Sequence, residues 1–145
     1  MNQTSSSHFI NKLFQNSYKN HLLLCFLFGA LASFAMHPYN FIPFLFCCIV
    51  PVYYFIFYSK PIHLFGIGLS FGFGWFLCSL YWIISSLIIL GSSYYFLTPL
   101  ALLGLPLLMS FFWALAFSIP SFIDSNKTEK IILLVIIWAL AEWLR

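Results

Sequence analysis

LFGIGLSFGFGWFLCSLYWIISSLIIL, from Leu64 to Leu90, decides the fold of this chain. It contains no charged residue, and as a helix it would be about 40 Å long, enough to cross a hydrocarbon core of roughly 30 Å with tilt. Gly66, Gly68, Gly72 and Gly74 crowd its first half, with Gly68 and Gly72 in GxxxG spacing and Ser70 and Gly74 continuing the small-residue pattern. In a soluble chain such glycines suggest a phosphate loop. In an apolar helix they let a second helix approach closely, so helix packing is the reading preferred here. Gly91-Ser92-Ser93 closes the run.

The same character extends outward through most of the chain. Hydrophobic residues make up 63% of it and charged residues 6%, whereas soluble domains carry about a quarter of their residues as charges. These values predict an all-α, polytopic transmembrane bundle. A barrel is excluded, because its short strands would alternate polar and apolar residues. Five spans are expected, at about 21–37, 41–58, 63–90, 98–119 and 129–145, making residues 21–145 a transmembrane domain. Pro43 and Pro51 interrupt the second, and neighbouring helices satisfy the backbone groups that prolines free inside spans. Residues 1–20 place Phe9, Ile10, Leu13 and Phe14 beside Lys12 and Lys19, the pattern of an amphipathic lead-in lying on a membrane surface.

The net charge of +3 is too small and too scattered for a nucleic-acid surface. Its placement is informative. With a cytoplasmic N-terminus, Lys12, Lys19, Lys60, Lys127 and Lys130 all fall inside, and the loops at 37–40 and 91–99 carry no Lys or Arg. That is the positive-inside pattern of a multi-pass inner-membrane protein. A rival reading takes the apolar stretch from Leu22 and Ala30-Leu31-Ala32 as a cleaved secretory signal. An uncleaved first span is simpler, since the later loops would need the same topology in either case.

Few residues are candidates for chemistry. Cys25, Cys47, Cys48 and Cys78 all lie in apolar runs without CxxC or Cys/His spacing, and read as packing residues rather than as metal ligands or redox groups. No metal or cofactor is expected. His37, at an outer turn, has no second ligand near it in sequence and reads as an interfacial histidine. Trp138, Glu142 and Arg145 stand at i, i+4 and i+7 and line one face of a helix. An acid inside an apolar segment is a functional-site hypothesis by default, with Arg145 as its expected partner. The competing reading is a structural or solvated pair near the interface.

Three stretches together resemble one family. Gly29-Ala-Leu-Ala-Ser-Phe-Ala-Met-His-Pro38-Tyr39-Asn40-Phe-Ile-Pro43 is similar to the first hairpin of the apolipoprotein N-acyltransferases. Gly68-Leu-Ser-Phe-Gly72-Phe-Gly74 with Tyr81-Trp82-Ile83 resembles their third helix, and Trp138-Ala-Leu-Ala-Glu142-Trp143-Leu144-Arg145 the segment before a Thr-Gly-Phe-Pro-Trp loop. The resemblance implies a full enzyme that takes an acyl chain from membrane phospholipid onto a cysteine, as a thioester. The enzyme then passes the chain to the α-amino group of an apolipoprotein's N-terminal cysteine. It also implies that the nucleophile, its glutamate base and its lysine belong to a nitrilase-like domain outside the membrane. Residues 1–145 contain no such domain, so none of the four cysteines takes the nucleophile's role, and this portion is expected to be inactive alone. Two other readings stay open: half of a split acyltransferase working with a separately encoded catalytic chain, or a small channel or transporter-like protein.

Overall fold

A computed structural model describes residues 3–36, 39–58, 60–83, 98–124 and 126–144. Helix α1 (Gln3–Ala32) passes into a 3-10 turn at Ser33–Ala35, and a 3-10 stretch at Ile42–Cys48 runs into α2 (Ile49–Phe57). Helix α3 (Pro61–Ser79) follows, then α4 (Thr98–Ser118) with a 3-10 turn at Ile119–Phe122, and α5 (Lys127–Leu144). The chain is an all-α membrane bundle. Among the described residues, three helical segments are long and apolar enough to cross a bilayer, Tyr18–Ala35, Pro61–Ser79 and Thr98–Phe122, with a shorter apolar segment at Ile42–Ile56.

Local chemistry explains where the elements depart from the apolar runs. The lead-in and the first span form one helix rather than two, because no glycine occurs before Gly29 and no proline before Pro38 to break it. In the second run each proline stands at the start of a helical piece, Pro43 in the 3-10 stretch and Pro51 in the first turn of α2. For Pro43 the missing N–H costs little, since the first turn of a helical stretch has no acceptors for it anyway. The run from Leu64 is not one uninterrupted helix to Leu90: α3 ends at Ser79, and Leu80 and Tyr81 form a turn. Between α1 and α2, Asn40 takes φ 51°, a left-handed conformation that asparagine tolerates better than most residues. Its N–H reaches Met36 O at 3.1 Å.

Helix α3 lies at the centre, parallel to α1 and antiparallel to α4. Its small residues divide between the two neighbours. Gly66, Ser70 and Gly74, four apart, face α1. A Cβ on Gly66 would meet the Tyr18 hydroxyl, and one on Gly74 would strike the Phe26 carbonyl oxygen. Gly29 is the reciprocal position on α1, where a Cβ would strike the Phe71 carbonyl oxygen. Between these points the Ser70 hydroxyl donates to Leu22 O at 2.7 Å. Gly68 and Gly72 face α4 instead: a Cβ on Gly68 would lie 2.8 Å from Trp113 O, and one on Gly72 3.0 Å from Ser110 Cβ. Phe71, Ile67 and Phe117, each fully buried, fill the space between these contacts.

Both ends of the bundle are defined by this alternation of direction. At one end the Tyr18 hydroxyl donates to His63 O at 3.0 Å, and His21 Nδ1 lies 2.6 Å from the Tyr58 hydroxyl oxygen. Lys60 and the start of α5 stand there too. The other end gathers the close of α1, the end of α3 and the end of α5.

Gly74→Ala is expected to lower the thermal midpoint in detergent by the equivalent of about 1–3 kcal/mol, because backbone must move to admit the methyl. Gly104→Ala is the control. Its Cβ would meet only the Leu100 side chain, at 3.6 Å, so the substitution should be neutral or stabilising by up to about 1 kcal/mol. Equal effects at the two positions would contradict the close-approach account.

Candidate functional site

Trp113 of α4 organises the interior where α3, α4 and α5 meet. Its ring stacks on Phe71 at 5.6 Å, meets Trp75 at 5.6 Å and Phe76 edge-on at 5.0 Å, and takes Trp138 of α5 edge-on at 5.0 Å. The space for it comes from Gly72, whose Cβ would lie 3.3 Å from the Trp113 ring. With the residue 4% exposed, its indole N–H needs an acceptor inside the protein. That acceptor is Glu142: Trp113 Nε1–H donates to Glu142 Oε1. Helix α5 therefore faces α4 with Trp138 and Glu142 one turn apart, and Trp138 also packs edge-on against Phe117 at 5.5 Å. Glu142 itself remains exposed on the bundle. Arg145, its expected partner, lies outside the described residues, as does His37.

A cavity of about 290 Å³ opens at the same end of α3, bounded by Ser33, Met36 and Tyr39 on one side and Leu77, Cys78, Ser79 and Tyr81 on the other. Its walls are mainly apolar. The Ser79 hydroxyl oxygen is buried and has no hydrogen-bond partner among the described residues, a state that usually calls for a ligand or water. Cys78 is a free thiol beside it, Cys25 is fully buried, and Cys47 and Cys48 are half-buried. Among the described residues no three His, Cys, Asp or Glu side chains gather as a metal ion would need.

Sequence reasoning picked out Trp138 and Glu142 by their spacing but missed Trp113 and Ser79. Nothing local marks Trp113, which sits in an apolar run 29 positions before its acceptor. Ser79 has a weak signal, as a serine near the end of a membrane helix.

Comparison with known proteins adds an independent observation. The family model described as apolipoprotein N-acyltransferase N-terminal domain matches residues 28–145. The chain belongs to the apolipoprotein N-acyltransferase family. Relatives of that name include proteins from Agrobacterium fabrum, 29% identical over 127 residues covering 81% of this chain and 24% of the relative, and from Rickettsia typhi, 32% identical over 123 residues covering 85% and 25%. The Rickettsia prowazekii protein is 32% identical over 129 residues, with the same coverage of 85% and 25%. The chain thus spans about a quarter of the length of these apolipoprotein N-acyltransferases. No solved structure matches it.

The indole-to-carboxylate bond gives a graded expectation. Trp113→Phe and Glu142→Leu should each cost about 1–2 kcal/mol of stability in detergent, as read from the thermal midpoint. Glu142→Gln keeps an acceptor oxygen and should cost less than half as much. A Glu142→Gln variant as unstable as Glu142→Leu would show that the carboxylate's charge matters and the acceptor does not.

Proposed function

We propose that these residues form the membrane portion of an apolipoprotein N-acyltransferase in a bacterial inner membrane. The family match across residues 28–145 carries this reading. The family reaction moves an acyl chain from phospholipid to the N-terminal cysteine of a lipoprotein, and its chemistry belongs to the catalytic domain that the resemblance implies. In this reading the membrane portion seats that domain and admits acyl chains sideways from the bilayer. Its partners are membrane phospholipid, the apolipoprotein substrate and a catalytic domain, whether on the same polypeptide or separately encoded.

The chain crosses the membrane five times in this reading, with its N-terminus in the cytoplasm. The grouping of Lys60, Lys127 and Lys130 at one end supports that orientation through the positive-inside rule. The end with Glu142, Trp138 and the 290 Å³ cavity is then the outer end. An apolar cavity with one unpartnered hydroxyl suits a lipid: the chain lies against Leu77, and an ester carbonyl accepts from Ser79. A channel reading has less support, because Glu142, the acid within an apolar helix, is engaged by Trp113.

Two measurements test these points. In a cysteine-free background, Tyr39→Cys should react with an impermeant thiol reagent on intact spheroplasts, and Asn126→Cys only after permeabilisation; the reverse result rules out the orientation. Purified chain supplied with phospholipid and a diacylated lipopeptide should form no N-acyl product, and addition of a family catalytic domain should restore turnover. Turnover by the chain alone would place the chemistry within these residues and overturn the reading.

A further inference from the structure

At the far end of the bundle from Glu142, about 22 Å along α5, the helices border an open cavity of about 140 Å³, lined in part by the exposed Lys127 and the half-buried Lys130. Phe55 of α2 and Leu64 of α3 form apolar walls, and Lys127 and Lys130 of α5 line it together with Tyr58 and Ser121. Two lysines three apart share one face of a helix, where like charges repel. The acid of the same turn does not neutralise them. Glu129 folds back as a capping group, its Oε2 accepting the Asn126 N–H at 3.3 Å and its Oε1 the Asn126 side-chain amide at 3.5 Å. Asp124 is not part of the cavity lining. Among the described residues neither lysine has an ion-pair partner. The lysines also stand in the first turn of an 18-residue helix, where the backbone dipole is positive.

Two ammonium groups without a carboxylate partner suit an anion, and the walls say which kind. The Ser121 hydroxyl already donates to Ser118 O, so the ammonium groups, not a ring of hydroxyls, are the principal donors. A small hydrated anion has no use for Phe55 and Leu64, whereas an amphiphile has. Ile56, also lining the cavity, is 46% exposed on the outside of the bundle, where lipid would lie. The geometry points to a site for the phosphate of an anionic phospholipid, held between Lys127 and Lys130 at the lysine-bearing end of the bundle. Basic pockets between membrane helices on the cytoplasmic side recognise headgroups in this way. The inference rests on the membrane placement of the bundle and is independent of acyl transfer.

The test uses the full chain, reconstituted in vesicles of equal phosphatidylglycerol and phosphatidylcholine and released for native mass spectrometry. Wild type should retain phosphatidylglycerol about tenfold over phosphatidylcholine, and Lys127→Gln with Lys130→Gln should abolish that preference. Ser121→Glu, which leaves both lysines in place but adds a carboxylate to the cavity, should weaken it as well. Lys12→Gln with Lys19→Gln removes the same charge elsewhere and should leave it intact. Equal losses from the two lysine pairs would mean diffuse surface attraction and overturn the site. Displacement of the lipid by inorganic phosphate or glycerol phosphate would overturn the assignment to a lipid. A preference that survives both the Lys127/Lys130 and Ser121 changes would also sink it.

Discussion

Backbone contact between α3 and its two neighbours is the constraint on which the bundle depends. In lipid there is no hydrophobic force to drive helices together, because acyl chains are as apolar as leucine side chains. Close packing must supply much of the attraction, and a gap of about 0.5–1 Å forfeits a quarter to a half of the dispersion at a contact. Gly74 against Phe26, with Gly29 against Phe71, sets the α1 spacing, and Gly68 and Gly72 set that of α4. Those distances bring Ser70 within reach of Leu22 O and leave room beside Gly72 for the Trp113 ring. The polar contacts thus follow from the glycines rather than causing the packing.

The distribution of polar groups reflects the same solvent. A charged group at the bilayer centre is costly, so the chain keeps its charges near the two ends, while mid-helix hydroxyls such as Ser70 and Ser110 donate to backbone carbonyls. At one end the Trp113 indole donates to Glu142 and Ser79 faces the 290 Å³ cavity. Tyr18, His21, Tyr58 and His63 form a hydrogen-bonded aromatic group at the other, beside the cavity with Lys127 and Lys130. Between these ends the core is packed by Phe71, Ile67 and Phe117.

The shared face of Trp138 and Glu142 was legible in the sequence, whereas Trp113 and Ser79 were not, for physical reasons. Trp138 and Glu142 share a face because helical periodicity is local, and four-residue spacing fixes it whatever the partners are. Their acceptor and stacking relations with Trp113 depend on how α5 lies against α4, which no local pattern encodes. The lead-in shows the opposite limit. Its amphipathic spacing is compatible with a separate surface helix, yet the absence of a breaker before Gly29 makes one continuous α1. The apolar run to Leu90 hid the turn at Leu80–Tyr81 in the same way, because hydropathy measures solvent preference and not backbone continuity.

By itself the sequence determined the all-α membrane class, the clustering of the lysines between apolar runs and the resemblance to the acyltransferases. Each of these is carried by composition, by spacing within a helix, or by short motifs. Tertiary structure alone decided that the glycines of α3 form two rows serving two different helices, Gly66 and Gly74 toward α1 and Gly68 and Gly72 toward α4. It also decided that Glu142 accepts from Trp113 and that Lys127 and Lys130 share a cavity with Tyr58. The reason is separation along the chain: Ser70 meets Leu22 across 48 positions and Glu142 meets Trp113 across 29. Contacts of that range arise from the packing of whole helices, which a 3.6-residue period constrains only one helix at a time.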